Sequence, residues 1–310
     1  MKTAVRFDSA GLELAGNLFT PDGEAGGSHP AILVSHPGSG VKEQTAGLYA
    51  KRLAEQGFVT LTFDAAYQGE SEGEPRGLED PAHRVEDIKA AVSFLTVRDE
   101  VDPNRIGALG ICASGGYVIS AAATDHRIKG VATVSAVDMG RQFRNGADGK
   151  QDPAVIQTML DAAAAARTAE ARGEGVATFS LFPNTEDEAR AGGQHVFEGW
   201  EYYRTARAQH PRSATFFTWN SVDRIASFDA FRFVDLIAPR PLLMILGTEA
   251  VTSWMTTEAF ANALEPKELF WVNGASHVAL YDKDEYVAPA VSKLADFFRA
   301  NLAPSPLAAH

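Results

Sequence analysis

The run Gly110-Ile111-Cys112-Ala113-Ser114-Gly115-Gly116 constrains the fold more than any other stretch of the chain. It follows an apolar strand candidate at residues 106–111 and opens a helical stretch, so the backbone must reverse within a few residues. A turn that tight lifts one side chain above the sheet in a strained conformation, and it tolerates only small residues two places before and after that side chain. Two registers satisfy this. With Cys112 at the apex the small flanks are Gly110 and Ser114; with Ser114 at the apex they are Cys112 and Gly116, followed by bulky Tyr117. A strand ending at Ile111 favours Cys112, because a Ser114 apex needs two more strand residues. A buried, inert Cys112 in a glycine-rich turn is the third reading.

Around this run the chain alternates strand-like and helical stretches. Strand candidates occupy residues 12–19 (continuing the opening strand as a hairpin), 31–35, 58–63, 106–111 and 130–137, and helical spacing runs through Leu48, Leu53 and Ala54 and across 87–95. Asp102-Pro103-Asn104 reads as a turn, and Arg84-Val85-Glu86-Asp87 as the opening of a helix with carboxylates at its positive end, support of the site being the other reading. The alternation predicts a mostly parallel sheet with helices on both faces. It stops between residues 138 and 238, where an alanine-rich helical stretch at 154–171 precedes a segment dense in Trp, Tyr and Phe. This segment reads as a mainly helical insertion, its aromatics divided between core packing and a pocket lining. Strand candidates return at 241–246 and 268–272, and a last helix at 287–298. The expected division is a core of 1–137 and 239–302, a helical cap at 138–238 and a flexible tail at 303–310.

Composition excludes several classes. A formal net charge of −12, without a local basic patch, disfavours nucleic acid as a partner. No apolar run approaches the roughly 20 residues that span a bilayer, and the N-terminus lacks the apolar core of a signal peptide. One cysteine permits no internal disulfide, so the cytoplasm is the expected location. The eight histidines are scattered without ligand-like spacing, so no metal and no cofactor is expected. Oligomeric state stays open, a homodimer among the options.

The chemistry-bearing candidates follow from the apex. A nucleophile there needs a base, and His277, in the glycine-containing loop after the last strand candidate, stands where it would enter such a site. A thiol paired with that imidazole near a helix N-terminus is expected to have a depressed pKa. The residue after the apex, Ala113 in the favoured register, supplies one backbone N–H to an oxyanion. The loop after residues 31–35 supplies the second: Pro37 has no N–H, so Gly38 is the candidate, with Ser39 next and also a substrate contact. The acid that orients the base is expected after the strand candidate 241–246. There Ala250 occupies the usual place and Glu249 stands one position early, with Asp223, Asp229 and Asp235 as substitutes. Tyr67, beyond the strand candidate 58–63, is a further candidate substrate contact, with packing under the insertion the other reading.

The segments Gly110-Ile111-Cys112-Ala113-Ser114-Gly115, Asp64-Ala65-Ala66-Tyr67-Gln68-Gly69-Glu70-Ser71 and Ser35-His36-Pro37-Gly38-Ser39-Gly40 together resemble the dienelactone-hydrolase-like branch of the α/β-hydrolases. The run Val41-Lys42-Glu43-Gln44-Thr45-Ala46-Gly47 is similar to a bacterial subgroup classed with fungal polyketide transferases. The resemblance covers almost the whole chain, insertion included. It implies an α/β-hydrolase fold and a Cys, Asp or Glu, His machinery acting on small-molecule esters, lactones or thioesters, with apolar or aromatic acyl groups expected from the insertion. Acyl transfer to an alcohol or amine is the alternative on the same residues, and a catalytically silent small-ligand binder is the other. Two departures stand out: Pro37 takes the place of a glutamate that dienelactone hydrolase carries in its oxyanion loop, and Ala250 takes the place of the acid.

Overall fold

The structure is a computed structural model that describes residues 1–21 and 27–304. The expected tail at 303–310 therefore falls mostly outside the described residues. The strands are β1 (Lys2–Ser9), β2 (Leu12–Phe19), β3 (His29–Ser35), β4 (Val59–Phe63), β5 (Val101–Ile111), β6 (Ile128–Val134), β7 (Thr178–Ser180), β8 (Phe216–Thr218), β9 (Leu242–Gly247) and β10 (Lys267–Val272). Eight of them form one sheet in the order β1-β2-β4-β3-β5-β6-β9-β10. Pairing is antiparallel from β1 to β2 and from β2 to β4, and parallel from β4 onward.

The central strands read as continuous apolar runs because both faces are covered. Ala31, Ile32, Leu33 and Val34 of β3 are wholly buried, their alternate side chains entering two different cores. The helices α1 (Thr45–Ala54), α2 (Pro81–Thr96) and α3 (Ala113–Thr124) follow β3, β4 and β5 in turn. The expected turn at Asp102-Pro103-Asn104 lies inside β5, where the register against β3 shifts between His29 and Ala31 and accommodates Pro103 in a bulge. The helix expected to open at Arg84 starts earlier, at Pro81, and is capped by Asp80, whose carboxylate accepts from the N–H groups of Ala82 and His83. That frees Arg84 and Asp87 for buried roles.

Between β6 and β9 stand α4 (Met139–Asn145), α5 (Pro153–Ala171), α6 (Glu186–Ala191), α7 (Gln194–Arg204) and α8 (Val222–Ala226), together with the small antiparallel pair β7–β8. The chain closes with α9 (Ser253–Asn262), α10 (Ala279–Asp282) and α11 (Asp284–Asn301). No helix among the described residues is long and apolar enough to cross a membrane.

Register brings the carboxyl ends of the parallel strands to one edge: Ser35 of β3 pairs with Gly110 of β5, Ile111 with Val134 of β6, and Val272 of β10 with Gly247 of β9. The loops carrying Gly38, Cys112, Thr252 and His277 all leave from that edge. A parallel sheet presents its ligand crevice there.

Candidate active site

Cys112 sits at the junction of β5 and α3 with φ 56° and ψ −121°, a left-handed conformation that costs a side-chain-bearing residue of order 1–3 kcal/mol. Its surroundings explain the glycines. A Cβ on Gly110 would meet the Ser114 carbonyl oxygen at 2.0 Å, and one on Gly115 would meet the Ala136 backbone at 2.7 Å. Within the run 110–116 Cys112 alone is not fully buried, and it lines a cavity of about 280 Å³.

Ser114 is elsewhere. Its hydroxyl is fully buried, bonded to the His36 carbonyl, 2.8 Å from an Arg84 guanidinium nitrogen and 2.9 Å from the Ser35 hydroxyl. Arg84 also donates to the His36 carbonyl at 2.7 Å, lies 5.0 Å from the centre of the Tyr117 ring and stands 3.7 Å from Glu79. This buried network braces the β3 loop and the turn from beneath. The geometry separates the two registers: the thiol faces the cavity and the hydroxyl is committed below it.

Burial pushes the Cys112 thiol above its ordinary value, whereas the Tyr281 hydroxyl, the backbone N–H groups of Ala113 and Gly38, and the Arg84 charge pull it back less strongly. The depressed thiol expected from the sequence is thus not what the site produces, because desolvation outweighs the donors. Those donors have a second meaning. The backbone N–H groups of Gly38 and Ala113, the two residues expected to serve an oxyanion, both face the sulfur.

His277 follows β10 and is 3% exposed, on the cavity wall. Its Nδ1 lies 2.7 Å from Thr252 Oγ1 and its Nε2 lies 3.0 Å from the Tyr281 hydroxyl. Burial, reinforced by the adjacent His195 ring at 5.2 Å, holds the imidazole well below its usual pKa, so it is neutral at ordinary pH.

None of the carboxylates suggested by the sequence reaches it. Glu249 is exposed, and its backbone N–H donates to the Ala275 carbonyl at 2.9 Å while its side chain makes no bond to the ring. Asp223 pairs with Arg167 at 2.8 Å, Asp229 raises the pKa of buried Asp138, and Asp235 is exposed. Glu249 fails because the loop after β9 passes His277 with a later residue, Thr252, whose hydroxyl is free because it makes no capping bond to α9.

Two further expectations move away from the cavity. Tyr67 is held at φ 68° with its ring edge-on to His83 at 5.3 Å, and it lines no part of the cavity. Ser39 is buried at φ 57°, and its carbonyl accepts from the Ser213 hydroxyl at 2.7 Å, which ties the β3 loop to the segment before β8. Arg84, read from the sequence either as part of a helix opening or as a support of the site, braces the turn; residues the sequence reading passed over include Thr252, Tyr281 and His195. Of these only Tyr281 left a signal, its placement four residues after His277, which puts both on one face of a helical turn.

The cavity walls come largely from residues 138–238. Phe143, Phe182, Tyr203 and Phe217 line it, with Met139 and Leu181, whereas Trp200, Trp219 and Phe231 do not. An adjoining recess of about 390 Å³ shares His195 and His277 and is lined by Asp148, Glu198 and Glu249. Among the described residues no group of His, Cys, Asp and Glu could hold a metal ion.

Comparison with known proteins agrees with the fold. Residues 26–290 match the family described as the alpha/beta hydrolase family. The chain belongs to that family. It is 43% identical over 285 residues to the uncharacterized protein YcjY of Escherichia coli K12, covering 92% of each chain. The crystal structure of the hypothetical protein PA2218 of Pseudomonas aeruginosa superposes with a TM-score of 0.90 at 35% identity, covering 97% of this chain and 94% of that one. Shorter stretches match fungal proteins. The thiohydrolase aneE of Aspergillus aculeatus is 39% identical over 124 residues (40% of this chain, 38% of that one), and the polyketide transferase claH of Penicillium crustosum is 34% identical over 127 residues (41% of each). The alpha/beta hydrolase fold and the kinship with the dienelactone-hydrolase-like group that includes fungal polyketide transferases are therefore as the sequence motifs implied.

Proposed function

We propose that the protein is an acyl hydrolase that cleaves a carboxylic ester, lactone or thioester through a covalent acyl-enzyme on Cys112. The observation that carries this reading is the Cys112 thiol at the strained apex, with the Gly38 and Ala113 N–H groups on its sulfur and neutral His277 on the same cavity wall. The sulfur attacks the acyl carbon, and the two N–H groups stabilise the oxyanion. His277 takes the thiol proton and returns one to the leaving group, and water repeats the sequence to free the acid. Thr252 does the orienting work of the absent carboxylate by holding Nδ1.

Residues 138–238 act as a cap. The cavity they close presents no charged side chain among its described lining residues, its two histidines being held toward the neutral form by burial, which suits a compact, uncharged, apolar or aromatic acyl group. Each methylene that fits should contribute about 0.8 kcal/mol. The outer recess, carrying Asp148, Glu198 and Glu249, suits an uncharged or cationic leaving group and disfavours a polyanionic carrier such as coenzyme A.

Intact-mass analysis after incubation with a panel of activated esters and thioesters tests the reading. A single acyl adduct on Cys112, absent in Cys112→Ala and retained in Ser114→Ala, is the expected outcome; adducts that persist in Cys112→Ala sink it. The recess also favours a second reading, acyl transfer, since it offers an acceptor alcohol or amine a place beside His277. Products formed with and without added acceptor separate the two.

A further inference from the structure

We propose that Tyr281 is a catalytic residue that carries the proton between the Cys112 thiol and the His277 imidazole. The inference rests on the acyl-enzyme reading above and adds a step to it. Among the described residues no hydrogen bond joins the sulfur directly to the ring; the Tyr281 hydroxyl lies between them in function, facing the thiol on one side and standing 3.0 Å from Nε2 on the other. With Thr252 at Nδ1, the four side chains form one chain: thiol, phenol, imidazole, hydroxyl.

The phenol is held rigidly enough to serve. Its ring is 2% exposed and packs edge-on against Tyr202 at 5.1 Å and against His277 at 5.5 Å. The turn that carries it is fixed from two sides: Tyr49 donates to the Leu280 carbonyl at 2.7 Å, and the Ser276 hydroxyl accepts from the Ala279 N–H at 3.1 Å. Tyr281 also lines the same cavity as Cys112.

The step balances. As the S–H bond breaks, its electron pair forms the C–S bond and the carbonyl π pair moves to oxygen. The thiol proton passes to the Tyr281 oxygen while the Tyr281 proton passes to Nε2. The phenol ends as it began, the imidazole is cationic, and the oxyanion carries the negative charge. Collapse reverses the relay, breaking the bond to the leaving group and delivering the proton to it. Burial and the neighbouring thiol hold the phenol far above its ordinary pKa, so the two transfers move together and no phenolate accumulates.

Single-turnover acylation by an activated ester tests this on the full chain. Tyr281→Phe keeps the ring and its packing, and it should slow acylation about 10²- to 10³-fold with little change in KM. Proton inventory in H2O–D2O mixtures provides a readout that packing cannot move: the wild-type acylation rate should curve with deuterium fraction, as two protons in flight require, and the residual rate of Tyr281→Phe should be linear. A Tyr281→Phe enzyme within threefold of wild type overturns the relay. So does a linear inventory for the wild type, which needs no variant to fold. Cys112→Ala, run alongside, separates the failures: if it acylates, the nucleophile is wrong; if it is inert while Tyr281→Phe is normal, only the relay falls.

Discussion

Thr252→Val removes the one hydrogen-bonding group at His277 Nδ1 and almost nothing else, since valine copies the shape of threonine. Thr252 is 1% exposed, and its hydroxyl bonds the ring at 2.7 Å without capping α9. In the tautomer the mechanism requires, Nδ1 donates to that hydroxyl and Nε2 accepts from Tyr281. Deleting the acceptor forfeits a hydrogen bond worth about 1 kcal/mol net and leaves a buried N–H unpaired at a cost of roughly 1–3 kcal/mol. The ring can escape that penalty by moving its proton to Nε2, and in that tautomer it is no longer a base. Taking about 2 kcal/mol as lost to the transition state, turnover should fall about 30-fold. Glu249→Gln changes an exposed side chain that does not touch the ring, so it should stay within twofold of wild type. Initial rates and single-turnover acylation at fixed pH measure both. A Thr252→Val enzyme near full activity beside a crippled Glu249→Gln enzyme would refute the assignment and return the orienting role to the carboxylate.

The acidic limb of the pH–rate profile should fall below the ordinary imidazole value of 6.5, because burial and His195 lower His277 and the base therefore stays neutral further into acid; His195→Phe should move the limb upward. Iodoacetamide labelling of Cys112 should still be climbing at pH 9, because burial raises the thiol; a plateau near pH 7 would show a preformed thiolate instead. Gly110→Ala should abolish soluble, folded protein or its acylation, since the added methyl meets the Ser114 carbonyl; a well-folded, active variant would contradict the turn. Asp138, buried with its pKa pushed up to about 6 by desolvation and by Asp229, binds its proton more tightly in the folded chain than in the unfolded one. Its contribution to stability is therefore lost as pH rises from about 4 to about 6, by up to about 3 kcal/mol. Denaturant titrations of wild type and Asp138→Asn at pH 4 and pH 7 should show the gap moving in the variant's favour.

What could be read from the sequence was whatever depends on backbone sterics. The strand-to-helix turn at Gly110–Gly116 is legible because only small residues fit against Ser114, Ala136 and Val137, and Gly38 is legible because Pro37 beside it has no N–H. That the central strands are parallel and covered on both faces follows from their apolar runs; their order across the sheet does not. The partner of His277 was not legible. Spacing rules assume a carboxylate at a set distance after the strand, whereas the loop from Gly247 turns so that Glu249 faces solvent and Thr252 faces the ring. That Tyr67 packs and Ser39 turns away from the cavity was not legible for a related reason: both take positive φ, which redirects a side chain in a way that no pattern of hydrophobicity encodes. Arg84 looked like part of a helix start because a buried arginine is rare unless paired, and its partners at His36, Ser114 and Glu79 come from distant segments.

The absence, among the described residues, of a carboxylate at His277 is consistent with the rest of the site. A buried cysteine–histidine ion pair flanked by a carboxylate would place three charges in a cavity that is otherwise aromatic and aliphatic, and each would need compensating partners. Here the resting chain of thiol, phenol, imidazole and hydroxyl is neutral throughout, so its ground state escapes that desolvation penalty. Charge appears only as the substrate reacts, on the carbonyl oxygen and the imidazole together. The Gly38 and Ala113 N–H groups, the N-terminus of α3 and the buried Arg84 guanidinium are all in place before it appears. Interactions that strengthen only when charge develops lower the barrier without tightening the ground state. If that division of labour holds, neutralising Arg84 should reduce kcat far more than it raises KM. The variant should be Arg84→Gln, which keeps donors for the His36 carbonyl and Ser114. A matching loss in both parameters, or an unfolded chain rescued by no second-site change, would make Arg84 a brace for the β3 loop and nothing more.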